Sequence, residues 1–507
     1  MSESLGKNTI YLYIKTIVSL FISLYTSRAV LLALGVEDFG IWNVVAGVVA
    51  MFAFLESSMS GATSRYISFE LGKGDAKSIK KTFGSSVVVH LIVGLVIFFL
   101  AETLGYYFLN SKLDIPENRV GTVRFIYHCA VFSSMMSILK VSFVALIMAS
   151  EKMKIFSLIE IVYSLLKLLI VIALNYVEWD KLATYGVMTL VVNMIVLLTY
   201  VIVCYVKFGF LRLFFEKKTI KNLLSFSGWD LFSNASVMAR SQGVNMLLNM
   251  FFGVAMNAAS GIALQVQGVV LIFGRNLFDA ARPRIIKDFS NGFHDEMVKL
   301  IYKTSQYTTL ILLLLSIPLF VEIEYVLKLW LNVVPDYAPS FCRLVLLFNL
   351  VANIFFPVTI GIHATGEIKA ISCISGILYL LVIPLTYLGY SHGLSPQIAY
   401  IFNLSAALVA LFVNIFIFEK KSPFFSACRF LLSVVLKCAA IGVGAFFVAH
   451  FVCLMMQSSY LRLFAVSFVS TIFLVVSSWF TLFDGTDRLY VMKKIRFIKY
   501  RIFKVNG

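Results

Sequence analysis

Apolar runs of twenty or more residues recur along the whole chain, separated by short polar breaks. Crossing the hydrocarbon core takes about 20 predominantly apolar residues, so the pattern predicts an all-α polytopic membrane protein. Fourteen runs read as spans: 8–34, 41–69, 79–109, 119–150, 154–176, 181–206, 221–252, 257–286, 297–325, 338–365, 370–391, 395–418, 426–456 and 459–483. The first, Asn8 to Leu34, is too long for the apolar part of a signal peptide and lacks a small-residue cleavage site after it, so it reads as a retained helix.

The pattern also repeats. Gly40-Ile41-x-x-x-Val45-x-Gly47-Val48-Val49 opens the second span, and Gly261-Ile262-x-x-x-Val266-x-Gly268-Val269-Val270 opens the eighth. Further along the same two spans, Arg65-Tyr66-Ile67 echoes Arg284-Ile285-Ile286. Two echoes in register predict a duplicated six-helix unit, with the copies related by an axis along the membrane normal. The expected organisation is a first lobe over 1–207, a linker over 208–220, a second lobe over 221–419, an added helix pair over 420–483 and a basic tail over 484–507. The second lobe also carries Pro318, Pro357 and Pro384 inside spans nine, ten and eleven. Each removes a backbone hydrogen bond, so the second lobe is expected to be the more kinked.

Composition agrees with the pattern: 60% of residues are hydrophobic and only 14% are charged, against about 25% charged in soluble chains. The net charge of +17 has a simple source. Of the Lys and Arg residues, 26 fall at the N-terminus, in even-numbered loops or in the tail, and six fall in odd-numbered loops. That bias places both termini in the cytoplasm, and no nucleic acid is implied. The tail from Arg488 to Lys504 aligns Ile495, Ile498, Ile502 and Val505 on one helical face, which suits either a helix lying on anionic lipid or a topology anchor. The seven cysteines form no CxxC pair, and His90, His128 and His363 lack ligand spacing, so no metal site is expected.

The candidate chemistry lies in charges that a membrane helix should not hold. Arg28, Lys140, Lys167, Arg240 and Arg275 are mid-span. Each costs roughly 2.5–3.5 kcal/mol at a helix centre unless it faces protein or water. Lys15, Arg65, Arg124, Lys299, Lys303 and Lys437 lie nearer span ends, where they can snorkel. Arginine suits a phosphate-rich ligand because its planar fork donates two parallel hydrogen bonds and stays protonated. Arg28, Lys140, Arg240 and Arg275 are therefore expected to face one cationic cavity between the lobes. Arg275 is four residues before Asp279, so the two can also pair. Glu160 and Lys167 share a face of span five, which makes Lys167 a packing or pairing residue rather than a ligand. Glu56 and Asp279 are the candidates for a coupled proton or sodium ion, the one cofactor-like partner anticipated; Glu56 could equally neutralise Arg28 or Lys140.

Three segments carry a family resemblance. They are Ser27-Arg28-Ala29-Val30-Leu31-Leu32-Ala33-Leu34-Gly35-Val36-Glu37-Asp38-Phe39-Gly40-Ile41-Trp42, then Ser64-Arg65-Tyr66-Ile67-Ser68-Phe69-Glu70-Leu71-Gly72-Lys73-Gly74-Asp75, and Ile147-Met148-Ala149-Ser150-Glu151-Lys152-Met153. Together they resemble the Wzx-type polysaccharide transporters, the flippases of O-antigen and capsule repeat units. That family belongs to the MOP exporter superfamily with the MATE drug exporters and the lipid II flippases. The resemblance implies a V of two six-helix lobes plus two C-terminal helices, in the bacterial inner membrane. It implies a transporter, not an enzyme, that moves undecaprenyl-pyrophosphate-linked oligosaccharide from the cytoplasmic to the periplasmic leaflet, with other polysaccharide-assembly proteins as partners. Lipid II flippases hold pyrophosphate with arginines of helices one, two and eight, which adds Arg65 to Arg28 and Arg275 here. The added helix pair would groove the polyprenyl tail, or simply pack on a lobe.

Three alternatives make different demands. A MATE-like cation antiporter calls for a net acidic cavity. A membrane polymerase or glycosyltransferase calls for long loops with catalytic carboxylates, and the longest inter-span loop here, between spans six and seven, is short. A non-transporting scaffold would have no use for embedded charges.

Overall fold

The computed structural model describes residues 3–50, 53–107, 119–209, 213–331, 334–485, 487–489 and 492. The element order is α1 (Glu3–Ala50), α2 (Ala53–Lys73), α3 (Ala76–Gly105), α4 (Val120–Ala149), α5 (Met153–Leu174), α6 (Lys181–Phe208) and α7 (Lys217–Phe252). There follow α8 (Val254–Ser290), α9 (His294–Leu331), α10 (Ala338–Thr365), α11 (Lys369–Ser391), α12 (Ile398–Lys421), α13 (Ala427–Met455) and α14 (Tyr460–Thr481). Eleven helices among the described residues are long and apolar enough to cross a membrane. α7, made more polar by Asp230, Asn234 and Arg240, and the two rods formed by α1 and α2 bring the bundle to fourteen. The chain is a multi-pass membrane protein.

Local chemistry sets the breaks between rods. The Asp75 side chain accepts from Lys77 N and caps α3, and Asp180 accepts from Leu182 N and Ala183 N and caps α6. Gly209 and Gly366 end α6 and α10 in the left-handed region. Two glycines mark the repeat. Gly35 bends α1 at φ 82°, ψ 170°, and Gly253 separates α7 from α8 at φ 81°, ψ −177°. This backbone region is open to glycine almost alone. The turns between the first two rods of the two lobes therefore share one backbone geometry.

The turns after α2, α4, α8, α10 and α12 lie at one end of the bundle with the start of the chain; Lys73, Lys152, Lys287, Lys369 and Lys421 mark it as the basic end. In this half a shared apolar core joins the lobes, with Leu12, Met59 and Ala62 packed among residues that include Phe226, Phe278 and Ile285. In the opposite, far half each lobe keeps its own cluster. Val45, Ile126, Tyr127 and Leu182 belong to the first, and Leu247, Ala263, Phe341 and Tyr400 to the second. The lobes thus meet at the basic end and hold separate cores at the far end.

Two expectations are refined by the backbone. Of the three prolines anticipated as kinks, Pro318 precedes the one non-helical residue described inside its helix, Glu322 (φ −98°, ψ 16°); α10 and α11 run through Pro357 and Pro384 as continuous helices. Lys303, expected to snorkel, instead meets Asp484 and Asp487 just after α14, each at 2.9 Å. With Arg462 Nη2 donating to the buried Glu322 at 2.7 Å, these pairs fasten α14 along α9 of the second lobe.

Candidate functional site

A cavity of about 760 Å3 lies between the lobes. The second lobe supplies most of its wall, and α2 and α4 of the first lobe close it with Ser60, Gly61, Ser64, Val144, Ala145 and Met148. Small side chains on α2 let the second lobe come close: a Cβ on Gly61 would lie 3.2 Å from Asp230 Oδ2. On α8, Leu271, Arg275, Phe278, Asp279 and Arg282 recur at three- and four-residue steps, so one helix face looks into the cavity. Asp230 and Asn234 face it from α7, Asn353 and His363 from α10, Ser372, Ser375 and Tyr379 from α11, and Asn414 from α12.

The charges on this wall are close without being joined. Arg275 and Arg282 flank Asp279 by four and three residues, and Arg282 also acts electrostatically on Asp230. Among the described residues neither guanidinium forms an ion pair or a hydrogen bond. Asp230 is held by Asn234, whose Nδ2 donates to Asp230 Oδ2 at 3.4 Å. Two guanidiniums that face the cavity without a contact partner call for water or an external anion, because leaving them desolvated costs several kcal/mol. The site can therefore offer two forked donors to one anionic group, while the nearby carboxylates limit the net charge.

The expected site residues part company here. Arg275 and Asp279 line the cavity. Arg240 is buried, hydrogen-bonded to Asn403 on α12, and packed 4.6 Å from the Tyr379 ring and 5.5 Å from the Phe348 ring. Both rings line the cavity, so Arg240 stands one layer behind them. Lys140 pairs with Glu160 at 3.7 Å inside the first lobe, and Tyr200 Oη donates to the same carboxylate at 2.8 Å. Lys167, expected to pack or pair within the lobe, lies 4.3 Å from the Tyr163 ring. The side chains of Arg28 and Glu56 and the tail over 493–507 lie outside the described residues. Of the four cations expected to converge, the described side chains bring Arg275 alone to the cavity.

Arg65 has another place. It is 7% exposed and donates from Nε to His363 O and from Nη2 to Ala364 O, both at 3.1 Å. These are terminal carbonyls of α10, where a cation also meets the negative end of the helix dipole. The close approach requires Gly366, since a Cβ there would lie 3.0 Å from Arg65 Cζ. Arg65 thus straps the first lobe to the second below the cavity. Further contacts close the same end. Lys287 Nζ donates to Glu151 Oε1 at 2.9 Å, Tyr13 Oη to Phe273 O at 2.7 Å, and Thr16 exchanges hydrogen bonds with Asn276. A Cβ on Gly72 would lie 3.0 Å from Lys287 Cα, so α2 and α8 pack nearly backbone to backbone.

Sequence reasoning missed Arg282 and Asp230 as cavity residues. Arg282 lies near the end of its span, where sequence alone places it among the loop charges, although its three-residue offset from Asp279 puts the two on one helix face. Asp230 was visible as an in-span acid, but nothing in the sequence told which wall it faced.

A family model described as polysaccharide biosynthesis protein matches residues 5–270. No curated protein matches the chain in sequence. Among solved structures, an outward-facing multidrug resistance MATE family transporter of the MOP superfamily aligns with TM-score 0.72 and 13% identity over 83% of this chain and 96% of that one. A MOP superfamily transporter from Pyrococcus furiosus Vc1, reported to have a binding pocket of reverse polarity, aligns at 0.69 and 13% over 84% and 96%. A MATE in the straight conformation aligns at 0.70 and 14% over 83% and 96%. Identities this low show a shared fold alone.

Proposed function

The chain belongs to the polysaccharide biosynthesis protein family, and from that premise we propose that it is a flippase for lipid-linked oligosaccharide, with the pyrophosphate headgroup held by Arg275 and Arg282. Its fold is that of a MOP superfamily transporter. The observation that carries the reading is the pair of guanidiniums on one face of α8, unpaired among the described residues, in a cavity between lobes. Two forked donors match the two phosphates of an undecaprenyl pyrophosphate, and serine, asparagine and tyrosine side chains around them match sugar hydroxyls. In this reading the basic end faces the cytoplasm of a bacterial inner membrane, an orientation the loop charges support. The latch of Arg65 and Lys287 then belongs to a state closed to the cytoplasm, and transport needs it to open so that cargo can load.

Deleting the gene in a strain without paralogues should abolish the surface polymer, O-antigen or capsule, and leave lipid-linked repeat units on the cytoplasmic leaflet. Normal surface polymer would refute the proposal. A second reading, cation export, draws on Asp230 and Asp279, which balance the two arginines at the cavity wall. In proteoliposomes the two separate cleanly. Asp230→Asn with Asp279→Asn should abolish cation export if that is the activity. If oligosaccharide is the cargo, the same variant should keep headgroup binding and slow only gradient-driven turnover, through loss of a coupled proton or sodium.

A further inference from the structure

A second cavity, of about 640 Å3, lies at the basic end between α7 and α11. It sits on the other side of that helix pair from the central cavity. Trp229 lines it while the adjacent Asp230 lines the central one, and Ile374 lines it while Ser375 faces the centre. Lys369 and Lys421 supply two cations to its wall and Glu367 one acid. Lys421 bonds the Glu367 carboxylate. Lys369 Nζ stands 5.1 Å from the Trp229 ring and makes no ion pair among the described residues. The pocket therefore keeps one uncompensated cation beside aromatic side chains, the composition found where membrane meets water.

What continues from the pocket identifies its ligand class. Ala370 and Ile374 line it, and Ile377, Leu381, Leu385 and Leu388 follow at three- and four-residue steps along α11. All four of the latter are exposed, Ile377 at 52%. A largely apolar pocket with one uncompensated lysine, opening onto an unbroken apolar stripe, has the shape of an amphiphile, with a charged head at the basic end and chains running into the bilayer. A soluble anion would engage only the lysines, whereas an amphiphile would engage the lysines and the adjoining stripe together.

We propose that this pocket holds the phosphate headgroup of an anionic membrane lipid whose acyl chains lie along the α11 stripe. The site is separate from the central cavity and does not depend on what that cavity carries. It touches the closing strap, because Gly366 lines the pocket and packs against the Arg65 guanidinium. A bound headgroup thus bears on the turn that Arg65 grips.

The test is native mass spectrometry of the full chain, delipidated in detergent and supplied with phosphatidylglycerol or phosphatidylcholine. The wild type should retain phosphatidylglycerol several-fold better than phosphatidylcholine. Lys369→Ala with Lys421→Ala should remove that preference and leave phosphatidylcholine unchanged. Ala370→Trp, which fills the pocket and keeps both lysines, should lower phosphatidylglycerol retention too, and it decides the matter if the double variant does not fold. Equal retention of both lipids by the wild type, or unchanged preference in the variants, overturns the proposal. Displacement of phosphatidylglycerol by equimolar inorganic phosphate also overturns it, in favour of a soluble anion.

Discussion

The two six-helix lobes use embedded charge in different ways. Away from the basic end, the first lobe pairs several of its described charges within itself. Lys140 is paired with Glu160. His128 meets Glu102 at 2.9 Å inside the π-helical turn that ends α3. Arg119 ties Asp38 to Asp180 at the far end, and Thr122 adds a hydrogen bond to Asp180 at 2.7 Å. Burial pushes the Asp180 carboxyl up, but those hydrogen bonds, its cap contacts and Arg119 together hold it below the ordinary aspartate range. The second lobe leaves Arg275 and Arg282 facing space. Residue type and depth are similar in the two lobes; the presence of a partner at contact distance separates a structural cation from one available to a ligand.

The largest effect should come from removing the available cations. Arg275→Ala with Arg282→Ala deletes two charge-assisted contacts worth about 1.5–3 kcal/mol each. Flipping of a pyrophosphate-linked oligosaccharide in proteoliposomes should fall by roughly a hundredfold or more, with the folded yield and thermal unfolding unchanged. An equal loss of folded protein would erase the contrast between the lobes.

Next comes Arg65, a first-lobe cation that reaches across to the second. Arg65→Met removes both hydrogen bonds to the end of α10, a loss of about 3 kcal/mol for the state closed at the basic end. The population open at that end should rise by up to about a hundredfold. Alkylation of single cysteines placed near Gly72 or Ser290 would report it. Unchanged labelling would mean that Arg65 does not hold the end shut.

How much of this was legible follows the same division. Hydropathy and loop charge suffice for fourteen rods because burial in lipid is written residue by residue. The repeat was legible through Gly40 and Gly261, and the structure adds Gly35 and Gly253, whose shared backbone geometry no sequence comparison displays. The embedded cations were legible as a set, but sorting them needs the angular position of each helix. Lys140 and Arg275 look alike along the chain; Glu160 and Tyr200, contributed by α5 and α6, make them different. Arg282 was hidden for a related reason. A basic residue near the end of a span counts towards topology until the structure shows its helix face turned into a cavity.

A smaller effect tests the inward use of charge in the first lobe. Lys140→Met leaves Glu160 without its cation and should destabilise the protein by about 2 kcal/mol, less than a fully buried pair would lose because both side chains are partly accessible. Adding Glu160→Gln should recover most of the loss, since the remaining amide still accepts from Tyr200. Turnover per folded molecule should stay at the wild-type level in both. A transport defect that persists in the stable double variant would return Lys140 to the cavity.

The smallest effect asks whether the lobes remain equivalent where the repeat says they should be. Gly35→Ala and Gly253→Ala each place a Cβ on a backbone that L-residues rarely adopt, at a cost of about 1–3 kcal/mol. Nothing lies within 4 Å of the added Cβ at either site, so the penalty is conformational and not steric. Matching φ and ψ then predict matching penalties, and thermal unfolding of the two variants should agree within about 0.5 kcal/mol. If one alanine were tolerated, its turn would have another accessible conformation. The lobes would then differ in how freely their first two rods can reorient, over and above how they place their charges.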